Sequence, residues 1–285
     1  MPNSSKIYHY ISDSVFQHIQ QETNLDTLKK LSKISQQPHS LWLDHTPEKM
    51  NILAKALTSM SVIETLVIVL YDIPHRDVSG SYNTGGLQSS AEYLNWIKQI
   101  SKILSNKSVI VIVEPDSLAS IDLLSVDDRI SRYELMSASS EIFSKNNQFA
   151  RIYLDAGNPN WVEPKEMAQR LQQAGVSLAQ GFAINVSNFV ADTKCIDYGM
   201  QICSILPDKT FVVDSSRNGN GEDPLQKWCN PVGRKLGRDP VLFDDESRID
   251  GYLWIKTPGQ SDGSENGAPP AGKWYRDYAV GLCMN

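Results

Sequence analysis

The sequence predicts an α/β fold: a single closed or nearly closed barrel of seven parallel strands alternating with helices. Two observations predict it. Seven short apolar runs recur along the chain, at 40–43, 66–71, Val109–Val113, 150–154, 181–186, 211–213 and 252–255. Runs that are apolar without alternation read as strands buried on both faces, as in a parallel sheet wrapped by helices. Longer amphipathic stretches separate them, and that alternation marks βα units built around one core.

Each helix has its own signal. Thr46-Pro47 is a cap followed by proline at the first helical position, with Met50, Leu53, Ala54 and Leu57 at core spacing. Residues 89–104 place Tyr93, Leu94, Ile97, Ile100 and Leu104 on one broad apolar face. Further helices are expected at 129–146, 164–174 and 192–205, and a helical segment at about 4–35 is expected to pack on the barrel. Residues 218–245 are rich in Gly, Pro and Asp and read as long loops, which in a compact domain usually carry function. Residues 1–285 are therefore read as one domain.

A chain of 285 residues can bury a substantial core, and a barrel of about 250 residues fits in it with little left over. The net charge of −6 and the lack of a basic stripe argue against nucleic acid as a partner. The longest apolar runs have strand length and fall short of a membrane span. The first six residues lack the apolar core of a signal peptide, so either the protein stays inside the cell or a signal has been trimmed. Cys195, Cys203, Cys229 and Cys283 show no CxxC or Cys/His spacing, so zinc is not expected. Two bridges and four buried thiols fit equally well.

Polar residues collect just after the strands: Asp44, Asp72, Asp77, Glu114, Asp116, Asp155, Asn185, Asp214, Arg217, Lys256 and Asp262. The carboxyl ends of barrel strands are where such folds keep their chemistry. Turn and cap chemistry explains some of these acids, and Asp116 after Pro115 reads equally well as the N-cap of the next helix. It does not explain the Lys and Arg residues, nor Trp42, Trp161 and Trp228, in the same places. Tryptophans near strand ends are more often core than platform. Several on one rim with carboxylates would instead suit sugar rings, whose C–H faces stack and whose hydroxyls hydrogen-bond.

Taken together, Tyr71-Asp72-Ile73-Pro74-His75-Arg76-Asp77, Glu114-Pro115-Asp116-Ser117-Leu118, Leu154-Asp155-Ala156-Gly157, Asn185-Val186-Ser187-Asn188, Ser216-Arg217-Asn218-Gly219, Trp228-Cys229-Asn230 and Trp254-Ile255-Lys256 with Ser261-Asp262-Gly263 resemble glycoside hydrolase family six. The ordered match runs from Trp42 to Trp274, and within these residues no stretch remains for a separate carbohydrate-binding module. The resemblance implies a distorted seven-stranded parallel β/α barrel and hydrolysis of β-1,4-glucan with inversion. It implies Asp116 as general acid, with Asp77 close enough to raise its pKa and pass protons. Asp262 becomes the candidate base, acting on water directly or through a relay, and Tyr71 presses on the sugar at the cleavage point. Asp155, Asn185, Arg217, Lys256 and Gln260 fall at substrate-binding positions, and Trp42, Trp161 and Trp228 at stacking platforms. No metal or organic cofactor is implied, and the expected state is a secreted monomer on a glucan chain.

The sequence departs from the family pattern in four places. Val78 stands where the family has a cysteine, and Cys229 lacks its usual partner, leaving Cys283 as a substitute. Gln260 replaces a substrate-binding carboxylate, and the water-relaying serine reads as Asn83, with Ser79 and Ser81 as alternatives. The loops 78–88 and 264–272 are both short, which favours an open cleft and endo cleavage. The competing expectations are a catalytically weak β-glucan-binding protein, and the same mechanism acting on another β-glucan.

Overall fold

The strands form because their apolar runs have two faces to bury. In this computed structural model, which describes residues 6–78 and 84–284, alternate residues of each central strand point to opposite cores. Val67, Val69, Ile110, Ile112, Tyr153, Ala183, Val212 and Leu253 fill the interior of a barrel. Their neighbours Leu66, Ile68, Leu70, Val109, Val111, Val113, Ile152, Leu154, Phe182, Ile184, Phe211 and Val213 face outward, against the helices. Both sets are buried, which is why no polar alternation shows in these strands.

The strands are β1 (Lys6–Ile7), β2 (Leu41–Leu43), β3 (Glu64–Leu70), β4 (Val109–Val113), β5 (Ala150–Asp155), β6 (Gly181–Ile184), β7 (Thr210–Asp214), β8 (Val241–Leu242) and β9 (Ile249–Leu253). Seven of them run parallel in the order β2-β3-β4-β5-β6-β7-β9. The ring between β2 and β9 is joined by Ser40 N–H donating to Trp254 O at 3.1 Å and by the Trp42 indole N–H donating to Ile255 O at 2.8 Å. No strand ladder bridges that seam among the described residues, so the barrel is nearly closed.

The helices are α1 (Asp13–Gln20), α2 (Leu25–Ser35), α3 (Pro47–Ser59), α4 (Ser90–Leu104), α5 (Val126–Asn146), α6 (Pro164–Gln173), α7 (Asp192–Ile205) and α8 (Arg276–Leu282). Pro47 opens α3, as its sequence position demands. α1, α2 and α8 pack together through Val15, Ile19, Leu31, Ile34, Ala279 and Cys283.

Three details differ from the sequence reading. The last barrel strand covers Ile249–Leu253 and leaves Trp254 and Ile255 beyond it, because the polar start Ile249-Asp250-Gly251 hid its true beginning. β1 and β8 are two-residue strands at the margins, too short to show a period. α5 starts at Val126, where the Ser125 hydroxyl accepts the Asp128 N–H. Ser125, and not Asp116, is therefore the cap of that helix.

Candidate active site

The βα loops enclose a cleft of about 1180 Å³ at the carboxyl ends of the strands. Trp42, Tyr71, Asp77, Asp116, Trp161, Trp228, Lys256, Gln260 and Asp262 all line it: Trp42 from β2 itself, Tyr71 and Asp77 from the segment after β3, Asp116 after β4, Trp161 after β5, Trp228 after β7, and Lys256, Gln260 and Asp262 after β9. Trp161 and Trp228 are about half exposed on its rim, as platforms for a ligand would be. Trp42 meets Tyr71 edge to face, with ring centroids 5.4 Å apart. The Arg76 guanidinium lies 5.1 Å from the centre of the Tyr71 ring. Asn83, Ser79 and Ser81 lie outside the described residues.

Asp116 sits at the end of β4 in left-handed backbone, φ 67°, and Asp77 beyond β3 likewise, φ 52°. Such conformations in non-glycine residues cost about 1–3 kcal/mol each and persist where surroundings enforce them. The Asp116 N–H donates to Asp155 Oδ2 at 2.9 Å, and its carbonyl accepts from Ser120. Its carboxyl is left for the cleft. Burial, then the neighbouring Asp155 and Asp77 carboxyls, push its pKa well above the ordinary aspartate value. Like charges in one pocket resist joint ionisation, so a proton is retained there.

Asp155, Asn185 and Arg217 do not touch the cleft; all three are fully buried beneath it. In this structure their side chains meet the protein's own loops. Asp155 accepts from Asp116 N–H and Gly157 N–H, and burial raises its pKa to about 7. Asn185 accepts from Val190 N–H and donates to Asp214 O, tying the loops after β6 and β7. Arg217 donates from one nitrogen to both oxygens of Asp262, at 2.8 and 2.9 Å, and from another to Ser187 O at 2.5 Å. Its guanidinium also stacks over Phe189, 4.2 Å from the ring centre.

Asp262 is crowded. Besides Arg217 it receives the Asn230 N–H at 3.0 Å and has Lys256 Nζ at 3.5 Å. A carboxylate offers about four lone-pair sites, and three hydrogen bonds with the Lys256 ammonium beside them crowd those of Asp262.

A second layer of buried acids stitches neighbouring loops. Asp72 accepts from His45 and Arg76, Glu114 from the amides of Asp72 and Ile73 and from the Tyr93 hydroxyl, and Asp214 from the amides of Ser187, Ser216 and Lys256. Strand-end position flagged these residues, but nothing in the sequence separates an acid that faces the cleft from one that faces the backbone. Sequence reasoning also missed Tyr10, Lys49, Leu123 and Lys273, which complete the cleft walls and carry no motif. All four cysteines are free and buried, so Cys283 does not substitute as the partner of Cys229. It packs among α1, α2 and α8 instead.

The chain is similar to several known proteins. Endoglucanase A of Cellulomonas fimi is 37% identical over 262 residues, covering 90% of this chain and 56% of the relative. A 1,4-β-D-glucan cellobiohydrolase C of Emericella nidulans is 29% identical over 276 residues, covering 76% of this chain and 60% of its own length. The chain spans 48 to 66% of the length of the bacterial endoglucanases it matches. Among solved structures, an endoglucanase from Mycobacterium tuberculosis, in complex with a methyl-cellobiosyl thio-cellobioside, superposes with a TM-score of 0.88 at 35% identity, over 98% of this chain and 96% of that one. The family model for glycosyl hydrolases family 6 matches residues 4–285, and the chain belongs to that family.

Proposed function

We propose that the protein is an inverting endo-β-1,4-glucanase that cleaves internal bonds of a cellulose-like chain, with Asp116 as general acid. The observation that carries this reading is the Asp116 carboxyl, which lines the cleft with its pKa raised by burial and by the neighbouring Asp155 and Asp77. A protonated carboxyl at the leaving oxygen is what glycosidic cleavage requires. Tyr71 and Trp42 bear on the adjoining sugar, while Trp161 and Trp228 supply exposed faces for rings further along. The attacking water loses its proton through a relay that ends on a carboxylate, since the oxygens of Asp262 are engaged by Arg217, Asn230 and Lys256. Lys256 and Gln260 hold sugar hydroxyls from the opposite wall, and no cofactor takes part. The protein acts as a monomer outside the cell; among the described residues no helix is long and apolar enough to cross a membrane.

Endo cleavage is supported by the exposed rim tryptophans and by the endoglucanase names of relatives at 33–37% identity. The test follows the viscosity and reducing ends of carboxymethyl cellulose together. A fast fall in viscosity with few new ends is expected, abolished in Asp116→Asn. Reducing ends that accumulate without a viscosity drop would overturn endo cleavage. An inactive wild type that still binds cello-oligosaccharides would favour a glucan-binding protein.

A further inference from the structure

One buried cation stands behind the cleft without touching it. Arg132 on α5 is 2% exposed and does not line the cavity. Its terminal nitrogens donate to Pro74 O at 2.8 Å, His75 O at 2.9 Å and Ser117 O at 3.4 Å. Pro74 and His75 precede Asp77 by three and two residues, and Ser117 directly follows Asp116. One side chain therefore grips both the loop of Asp77 and the loop of Asp116.

Glu114 makes the complementary grip. It lies two residues before Asp116, and its carboxylate accepts the Asp72 and Ile73 amides of the other loop at 3.0–3.1 Å, with the Tyr93 hydroxyl at 3.0 Å. His75, Asp77, Glu114 and Asp116 all hold left-handed backbone, with φ between 48° and 67°. Four strained residues in two short loops need an external constraint to stay so. A planar guanidinium with five donors binds carbonyls of the two segments in a fixed fork, a geometry that the compact ammonium of lysine, a point charge with three donors, does not match.

We propose that Arg132, with Glu114 as its counterpart, is a positioning device that fixes the loop of Asp77 against the loop of Asp116 and so sets the spacing of the two carboxyls. The proposal rests on Asp116 being the general acid. The charged and titratable groups facing Arg132 are Glu114, Tyr93, Asp128 and Tyr71, and those facing Asp116 are Asp155, Asp77 and Tyr71. When the loops drift apart, Asp77 no longer disfavours ionisation of Asp116, and the acid loses its proton at lower pH.

The experiment compares wild type, Arg132→Lys, Glu114→Gln and Asp116→Asn on cellopentaose, with folding of each checked by circular dichroism and melting. Small misplacements far from the chemistry can cost about 100-fold, so kcat in Arg132→Lys is expected to fall by about 10- to 100-fold with KM nearly unchanged. The basic limb of kcat/KM against pH should move to lower pH in Arg132→Lys and Glu114→Gln alike. If either variant folds poorly, the limb measured on the folded one decides. A limb superimposable on wild type in a folded variant, or a kcat loss that merely tracks the unfolded fraction, overturns the proposal. Equal activity of wild type and Asp116→Asn would instead overturn the general-acid reading, and the proposal with it.

Discussion

Asp262 and Arg217 show how the role of a single side chain depends on its partners. The guanidinium has no exposed surface, and Asp262 supplies both of its acceptors on one nitrogen. Removing one member of a buried pair leaves an uncompensated charge, typically about 3–5 kcal/mol. Asp262→Asn is therefore expected to lower unfolding free energy in urea by about 3–5 kcal/mol, alongside any loss of rate. A variant with wild-type stability would mean that the pair does not form. Two buried acids, Glu114 and Asp155, make stability depend on pH. Glu114, ordinarily near 4.5, and Asp155, ordinarily near 3.8, are each raised to about 7, chiefly by burial. The folded state then binds more protons than the unfolded chain between those values. Their stabilising contribution is complete below the unfolded pKa values and is lost as pH rises through about 7. Thermal midpoints should decline from about pH 5 towards neutrality, less steeply in Glu114→Gln, and a rise over that range would contradict the assignment.

Among the elements, the parallel strands were legible because their two buried faces leave continuous apolar runs, and the helices because start signal and period agree, as with Pro47 at the first turn of α3 and along Ser90–Leu104, although the Thr46 hydroxyl bonds Asp44 and not the helix amides. β9 was misplaced for the converse reason: Asp250 sits within a strand, accepting from the Tyr153 hydroxyl and Thr210 across the sheet. The site residues facing the cleft were legible as acids and tryptophans after strands. The buried grip of Arg132 was not, because a lone arginine on a helix of mixed polarity carries no sequence signal. Strand pairing also imposes a local demand that sequence hides. A Cβ on Gly181 would stand 1.7 Å from Thr210 O, where β6 meets β7. Gly181→Ala should force these strands apart and lower stability by about 1–3 kcal/mol, read as a reduced melting temperature; an unchanged midpoint would show that the sheet relaxes freely.

At the scale of the whole molecule, the barrel gathers segments from distant parts of the sequence onto one face. β2 to β7 and β9 form the barrel, β1 and β8 pair at its margins with β3 and β9, and α1, α2 and α8 pack together beside it. On the proposed function, this assembly presents Asp116 as a proton donor to the leaving oxygen. The most direct test of that role measures how the rate of Asp116→Asn depends on the leaving group. Positioned proton donation is worth about 10²–10⁴-fold, so hydrolysis of cellotetraose should fall by about that factor. An aryl cellobioside with a dinitrophenolate leaving group needs no proton and should be cleaved by Asp116→Asn at nearly the wild-type rate. Equal losses on both substrates would contradict the claim and assign Asp116 to binding or to structure.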